Sequence, residues 1–238
     1  ADMDGDGDID IISASETDDK IAWYENNGAA DPTFTTAIIA TTADEASDIQ
    51  VADVDGDGDL DIISASEADD TIAWYINDGS HDPTWTAVDI ATTADGAMNV
   101  DVGDIDGDGD LDIVSASIYD NTIAWYENNG AADPTFTKVV IATTADGAKD
   151  VKVADIDADG DMDIISSSYN DNTIAWYENN GAIDPTWTAT DITTSAAGAS
   201  DIFVSDIDAD GDLDIISAES NENKLAWYKN NGAADPTF

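Results

Sequence analysis

Hydrophobic and polar residues alternate in short stretches along the whole chain, and no 3.6-residue pattern persists beyond about one turn. The pattern is clearest between residues 47 and 96. Ser47-Asp48-Ile49-Gln50-Val51-Ala52 alternates polar and apolar, the period of a half-buried strand. Ile62-Ile63-Ser64-Ala65-Ser66 predicts a second strand. Thr71-Ile72-Ala73-Trp74-Tyr75-Ile76, rich in β-formers, predicts a third. Thr84-Trp85-Thr86-Ala87-Val88-Asp89-Ile90 predicts a fourth. Between them lie an aspartate-rich loop (Asp53 to Asp61), a polar turn (Glu67 to Asp70) and a loop from Asn77-Asp78-Gly79 to Asp82-Pro83. Ala94-Asp95-Gly96 then returns the chain.

The same order recurs with a period of 51 residues. Asp-x-Asp-x-Asp-x-x-x-Asp begins at Asp2, Asp53, Asp104, Asp155 and Asp206, and Trp-Tyr recurs from Trp23 to Trp227 at the same spacing. Asp-Pro-Thr-aromatic ends at Phe34, Trp85, Phe136, Trp187 and Phe238. Four short strands per unit at this period predict an all-β fold, a β-propeller of four-stranded blades. A β-solenoid is the competitor, but its turns are much shorter than 51 residues. Small residues such as Ala65, Ser66 and Ala73 suit sheets packed closely face to face. The predicted units are 1–46, 47–97, 98–148, 149–199 and 200–238, in one repeat domain. The first lacks its opening strand and the last its fourth. The expectation is a window cut from a longer array, or a subunit whose edges pair with a neighbour. Odd copies carry Phe after Asp-Pro-Thr and even copies Trp, a two-unit superperiod.

Charge narrows the function. Fifty-four Asp and Glu face six Lys without any Arg, a formal charge of −48. Such a chain repels nucleic acid and anionic lipid. Cysteine is absent and histidine is limited to His81, which excludes thiol metal centres and leaves little for histidine-based catalysis. No apolar run reaches membrane-spanning length, so no membrane insertion is expected.

The loop Asp53-Val54-Asp55-Gly56-Asp57-Gly58-Asp59-Leu60-Asp61 sets carboxylates at positions 1, 3, 5 and 9. Glycine at position 6 permits a sharp turn, and position 7 can offer its carbonyl. Hard oxygen ligands in that number favour calcium over zinc. Position 12, where an EF-hand has its glutamate, is Ser13, Ser64, Ser115, Ser166 or Ser217, and the flanks are strands. Carboxylates held about 4 Å apart repel by on the order of 1 kcal/mol per pair even in water's dielectric, which argues for a bound counter-ion over a merely solvated loop.

With the following Asp-Ile-Ile-Ser-Ala-Ser and Ile-Ala-Trp-Tyr-Glu-Asn-Asn-Gly, the chain resembles the VCBS and FG-GAP-like repeats of secreted bacterial proteins. The resemblance spans the whole chain. It implies a propeller of the integrin-α type with one calcium ion in the loop between the first and second strands of each blade, up to five. The implied ligands are Asp2, Asp4, Asp6, Asp8 (by its carbonyl) and Asp10 in the first copy. They continue as Asp53, Asp55, Asp57, Asp59 and Asp61; Asp104, Asp106, Asp108, Asp110 and Asp112; Asp155, Asp157, Asp159, Asp161 and Asp163; and Asp206, Asp208, Asp210, Asp212 and Asp214. The family's Phe-Gly and Gly-Ala-Pro letters are absent. Propellers of this family commonly have seven or eight blades, so five units leave the ring size open.

The Trp-Tyr pairs and the aromatics after Asp-Pro-Thr are expected to be core. Tyr119 and Tyr169, in polar turns that vary between copies, are the candidates to stack on a sugar. His81 is expected to be surface decoration. Outside the 25 loop aspartates, 29 acidic residues remain, a surface suited to a saline, calcium-rich exterior. The expected function is a non-catalytic, secreted or cell-surface adhesion or ligand-binding module, its partners calcium, glycans or surface proteins. The alternative is a structural unit that pairs with copies of itself in a filament or coat. A calcium-dependent polysaccharide lyase ranks last, for want of a base and a cationic group.

Overall fold

The computed structural model describes residues 1–238 and contains only β-strands, eighteen in five antiparallel sheets. The first sheet holds β1 (Ile11–Ser15), β2 (Lys20–Asn26) and β3 (Phe34–Ala40). The second holds β4 (Ala46–Ala52), β5 (Asp61–Ser66), β6 (Thr71–Asn77) and β7 (Trp85–Ala91). The third runs β8 (Ala97–Gly103), β9 (Asp112–Ser117), β10 (Thr122–Asn128) and β11 (Phe136–Ala142). The fourth runs β12 (Ala148–Ala154), β13 (Asp163–Ser168), β14 (Thr173–Asn179) and β15 (Trp187–Thr193). The fifth holds β16 (Ala199–Ser205), β17 (Asp214–Glu219) and β18 (Lys224–Tyr228). Within each sheet the strands follow chain order, each paired with its sequence neighbour. In the second copy the observed strands lie within one residue of the predicted ones.

Successive side chains on a strand point to opposite faces, so each Trp-Tyr pair serves two interfaces. Trp74 faces forward, into a core with Ile113, Ala124 and Tyr126 of the third sheet. Tyr75 faces back, against Trp23 and Ile21 of the first. The pattern repeats with Trp125 against Tyr177, and with Trp176 against Ile215 and Tyr228. The aromatic after Asp-Pro-Thr closes the same interfaces edge-on: Phe136 meets Trp74 at 6.1 Å between ring centres, and Trp187 meets Trp125 at 6.5 Å. At the two end sheets, where no further sheet covers them, Phe34 and Trp227 are exposed.

The first strands of sheets two to five lie side by side along a common axis. Ser47 bulges out of the β4–β5 register, and its hydroxyl donates to the carbonyl of Ala97 in the next sheet at 2.9 Å. One residue on, Asp48 accepts the Val100 N–H at 3.1 Å and the Asn99 amide at 2.9 Å. Asn99 accepts Val151 N–H, Asp101 accepts Val153 N–H and Asp150 accepts Ile202 N–H. Side chains thus bridge inner strands that do not pair with each other. Burial raises the carboxyl pKa of Asp48, Asp101 and Asp150 above the ordinary range, Asp150 to about 7. Lys152 stands among them, 2.8 Å from Asp150. Burial works against its ammonium, but the carboxylates of Asp150, Asp101 and Asp48 outweigh it and raise its pKa.

The two-unit superperiod has a structural counterpart. Clefts of about 420 and 450 Å³ open at the first–second and third–fourth sheet junctions, floored by Ala87 and Ala189 beside Asp89 and Asp191. At the equivalent place in the third sheet Lys138 lies 5.8 Å over the Tyr126 ring.

Candidate metal sites

Each aspartate-rich loop after the first joins the first two strands of its unit, the first leads into β1, and all curl on their own side chains. In the second copy Asp57 N–H donates to Asp55 (3.2 Å), Gly58 N–H to Asp53 (3.0 Å) and Asp59 N–H to Asp57 (2.9 Å). Gly58 has φ +99°, a conformation L residues rarely adopt, which is why position 6 is glycine in every copy. Position 4 is also left-handed, yet Ala158 and Ala209 hold it at φ +60° and +61° where earlier copies use glycine. The curl brings carboxylate oxygens of positions 1, 3 and 5 within 4.8 Å of one another in all five loops.

These oxygens are short of donors. Asp2 Oδ1, Asp53 Oδ1 and Asp104 Oδ1 are buried without a hydrogen-bond partner. The Asp4 side chain is 1% exposed. Burial first, then neighbouring carboxylates, raises the pKa of Asp4, Asp55, Asp106 and Asp157 despite a backbone N–H bonded to each. A buried anionic oxygen without a donor is costly, and a divalent cation is the partner this donor set fits: clustered, hard and all oxygen.

The other two aspartates of each loop have different surroundings. At position 7 the side chains of Asp8, Asp59, Asp110, Asp161 and Asp212 lie on Gly28, Gly79, Gly130, Gly181 and Gly232, where any Cβ would collide with the carboxylate. The Asn-x-Gly turn after the third strand is therefore the seat of the loop. At position 9 Asp61 is buried beneath the triad. Its Oδ1 accepts Asn77 N–H at 2.8 Å, and its Oδ2 accepts Val54 N–H at 3.3 Å and Trp74 Nε1–H at 2.9 Å. Asp10, Asp112, Asp163 and Asp214 accept the same two backbone N–H groups in their copies. Burial raises Asp61 to about 6 and Asp112 and Asp163 to about 7. Positions 1, 3 and 5 converge, while position 9 anchors the loop to the third strand.

The asparagine that ends that strand ties neighbouring loops together. Asn77 Nδ2 donates to Leu60 O of its own loop and to Met3 O of the loop before it, at 3.0 and 2.9 Å. Asn128, Asn179 and Asn230 repeat both bonds.

FG-GAP-like repeats match this chain at residues 2–64, 53–115, 108–166 and 155–217, each match running from one loop into the next. The chain belongs to the FG-GAP-like repeat family. No curated protein matches it in sequence. Among solved structures it is similar to the periplasmic gluconolactonase PpgL of Pseudomonas aeruginosa. That likeness has a TM-score of 0.62 at 10% identity, over 96% of this chain and 65% of that one. It is also similar to a functionally unknown protein from Desulfotomaculum acetoxidans, with a TM-score of 0.56 at 10% identity over 92% and 64%. The V. cholerae biofilm matrix protein Bap1 matches with a TM-score of 0.51 at 21% identity, over 100% of this chain and 37% of Bap1. At these identities the likeness is one of fold, and the FG-GAP-like chain spans less than two thirds of each of these three.

Four side chains outside the loops complete the picture of this family member. Tyr119 is 60% exposed, and its hydroxyl donates to Glu67 in the preceding sheet. Tyr169 is half-buried and donates to Asn221 in the following sheet at 3.2 Å. Both candidate sugar-stacking rings therefore also link adjacent turns. His81, exposed as expected, brings Nδ1 to 3.3 Å from Asp4 Oδ2, at the rim of the first loop. Lys229 reaches the fifth loop, contacting Asp208 and lying 3.0 Å from Asp210. Neither contact is evident from local sequence. Lys229 is 19 residues from its nearer partner, and the only signal is that it stands where three other copies have glutamate.

Proposed function

We propose that this chain is a calcium-binding β-propeller segment of an extracellular protein, with a non-catalytic role in adhesion or ligand binding. The observation that carries the calcium reading is the convergence of three carboxylates in every loop, with buried oxygens in three loops that find no donor. Positions 1, 3 and 5 would hold the ion by carboxylate oxygens, joined by the position-7 carbonyl and the position-9 carboxylate. Bound there, calcium supplies the positive charge that lets the triad stay ionised while buried. Because the position-9 aspartate also grips the third strand, an ordered loop fixes three strands of its sheet, so metal binding stabilises the fold.

Five similar sheets in succession, four of them with first strands side by side, support the propeller reading. Outside the loops the excess of carboxylates suits a calcium-rich exterior. No helix is long and apolar enough to cross a membrane. The inter-sheet turns, with Tyr119 and Tyr169, are the surface we assign to a glycan or a surface protein. The biofilm matrix role named for Bap1 is compatible with such a module.

Electron microscopy with and without calcium, followed by a glycan array, tests this proposal. Discrete calcium-dependent particles with glycan binding lost in Tyr119→Ala and Tyr169→Ala support it. Filaments would favour the structural-unit alternative instead, and unchanged particles in chelator would refute the calcium dependence.

A further inference from the structure

The five loops are alike in their aspartates and unlike in one neighbour. The residue just before the strand-ending asparagine is Glu25, Ile76, Glu127, Glu178 and Lys229 in successive copies. The structure ties this position to the loop, because the asparagine that follows it donates its side-chain amide to the backbone of its own loop in every copy. At the fifth loop the sign is reversed. The Lys229 ammonium pairs with Asp208 and with Asp210, two of the three carboxylates that converge there. The position-1 oxygen does not set this loop apart, since Asp206 Oδ1 accepts Asp210 N–H at 3.1 Å as Asp155 Oδ1 accepts Asp159 N–H at 3.1 Å in the fourth; the lysine does.

We propose that Lys229 is a built-in counter-ion for the fifth loop, so that the chain holds four calcium ions tightly and the fifth weakly. This rests on the calcium reading above and grades its sites. Changing glutamate to lysine shifts the local charge by two. Beside a divalent ion at about 6 Å in water's dielectric, that is roughly a hundredfold in affinity, and changing isoleucine to lysine roughly tenfold. The expected order is the first, third and fourth loops, then the second with Ile76, then the fifth. The ammonium also offsets one of the fifth triad's three charges when calcium is scarce, so this loop needs the ion least for folding.

Calcium titration of the full 238-residue chain by native mass spectrometry and calorimetry tests the assignment. The expected result is four ions at low micromolar free calcium or below, with a fifth entering at concentrations at least tenfold higher. Lys229→Glu should bring the fifth ion into the tight set. Ile76→Lys, which moves the counter-ion to another loop, should remove one ion from it and so provides a check that does not depend on Lys229. Five equivalent ions in the parent chain, or a count unchanged by both variants, would overturn the role of Lys229 and leave the calcium reading standing. No ion at any loop would overturn both.

Discussion

The loops and the axis both crowd aspartates together, and the chain treats them in opposite ways. Along the axis Asp48, Asp101 and Asp150 each accept an N–H from the next inner strand, and Lys152 stands between them. Their charge is partly offset from within. In the first four loops the triads receive N–H groups mainly from their own loop, and no lysine approaches them. Three of these loops bury an oxygen without any donor. The difference shows where the fold is self-sufficient and where it draws on its surroundings. Carboxylates that bridge two sheets are paired by the chain, whereas those that must organise a turn are left for a cation.

Removing calcium should produce the largest effect. If each of four tight loops is loaded at about a hundred times its dissociation constant, the ions together contribute on the order of 10 kcal/mol. The melting temperature in excess chelator should then fall by roughly 20 °C or more. An unchanged melting curve would mean that the loops are balanced like the axis.

Lys152→Met attacks the other side of the comparison. It leaves the buried carboxylates without their cation and should cost about 3–5 kcal/mol at pH 7, with or without calcium. Acid should relieve it. The native pKa values of Asp48, Asp101 and Asp150 lie above the unfolded value of 3.8, so the native state binds more protons in that interval. Stability of the variant should therefore fall as pH rises from about 4 to about 7 and recover on acidification, which urea unfolding at several pH values would detect. A loss that did not depend on pH would point to packing in place of charge.

The smallest effect should be the most discriminating. Asp55→Asn weakens one loop, so with calcium present it should cost about 2–3 kcal/mol. In chelator the same change relieves a like-charge contact and should be neutral or slightly stabilising. A loss of equal size under both conditions would mean that Asp55 acts only through the hydrogen bond it accepts from Asp57 N–H.

Much of this architecture is legible in the sequence. The 51-residue period, the four strands of each full unit and the two-faced Trp-Tyr strand follow from alternation and spacing, because a strand's side chains sort by parity alone. The triads at positions 1, 3 and 5 are legible for a similar reason, since a tight loop with glycine at position 6 gathers alternate residues. What stayed hidden are the bonds between copies. Asn77 to Met3 spans 74 residues and Asp48 to Val100 spans 52. A strict period conceals such pairs, because every copy carries the same residue whether its partner lies in its own sheet or the next. Asp61 is ambiguous in the same way: in a string of aspartates, the one that grips three N–H groups looks identical to those that do not. His81 and Lys229 break the period, and departures of that kind are the sequence's guide to what sets one copy apart.

The central claim, that a divalent cation holds the loop carboxylates together, is tested most directly by a long-wavelength anomalous density map of crystals grown in calcium. Peaks should lie among Asp2, Asp4 and Asp6 and at the three following triads, weaker or absent beside Lys229, with none along the axis near Lys152. Ordered loops without anomalous density, in crystals whose sheets are intact, would contradict the account.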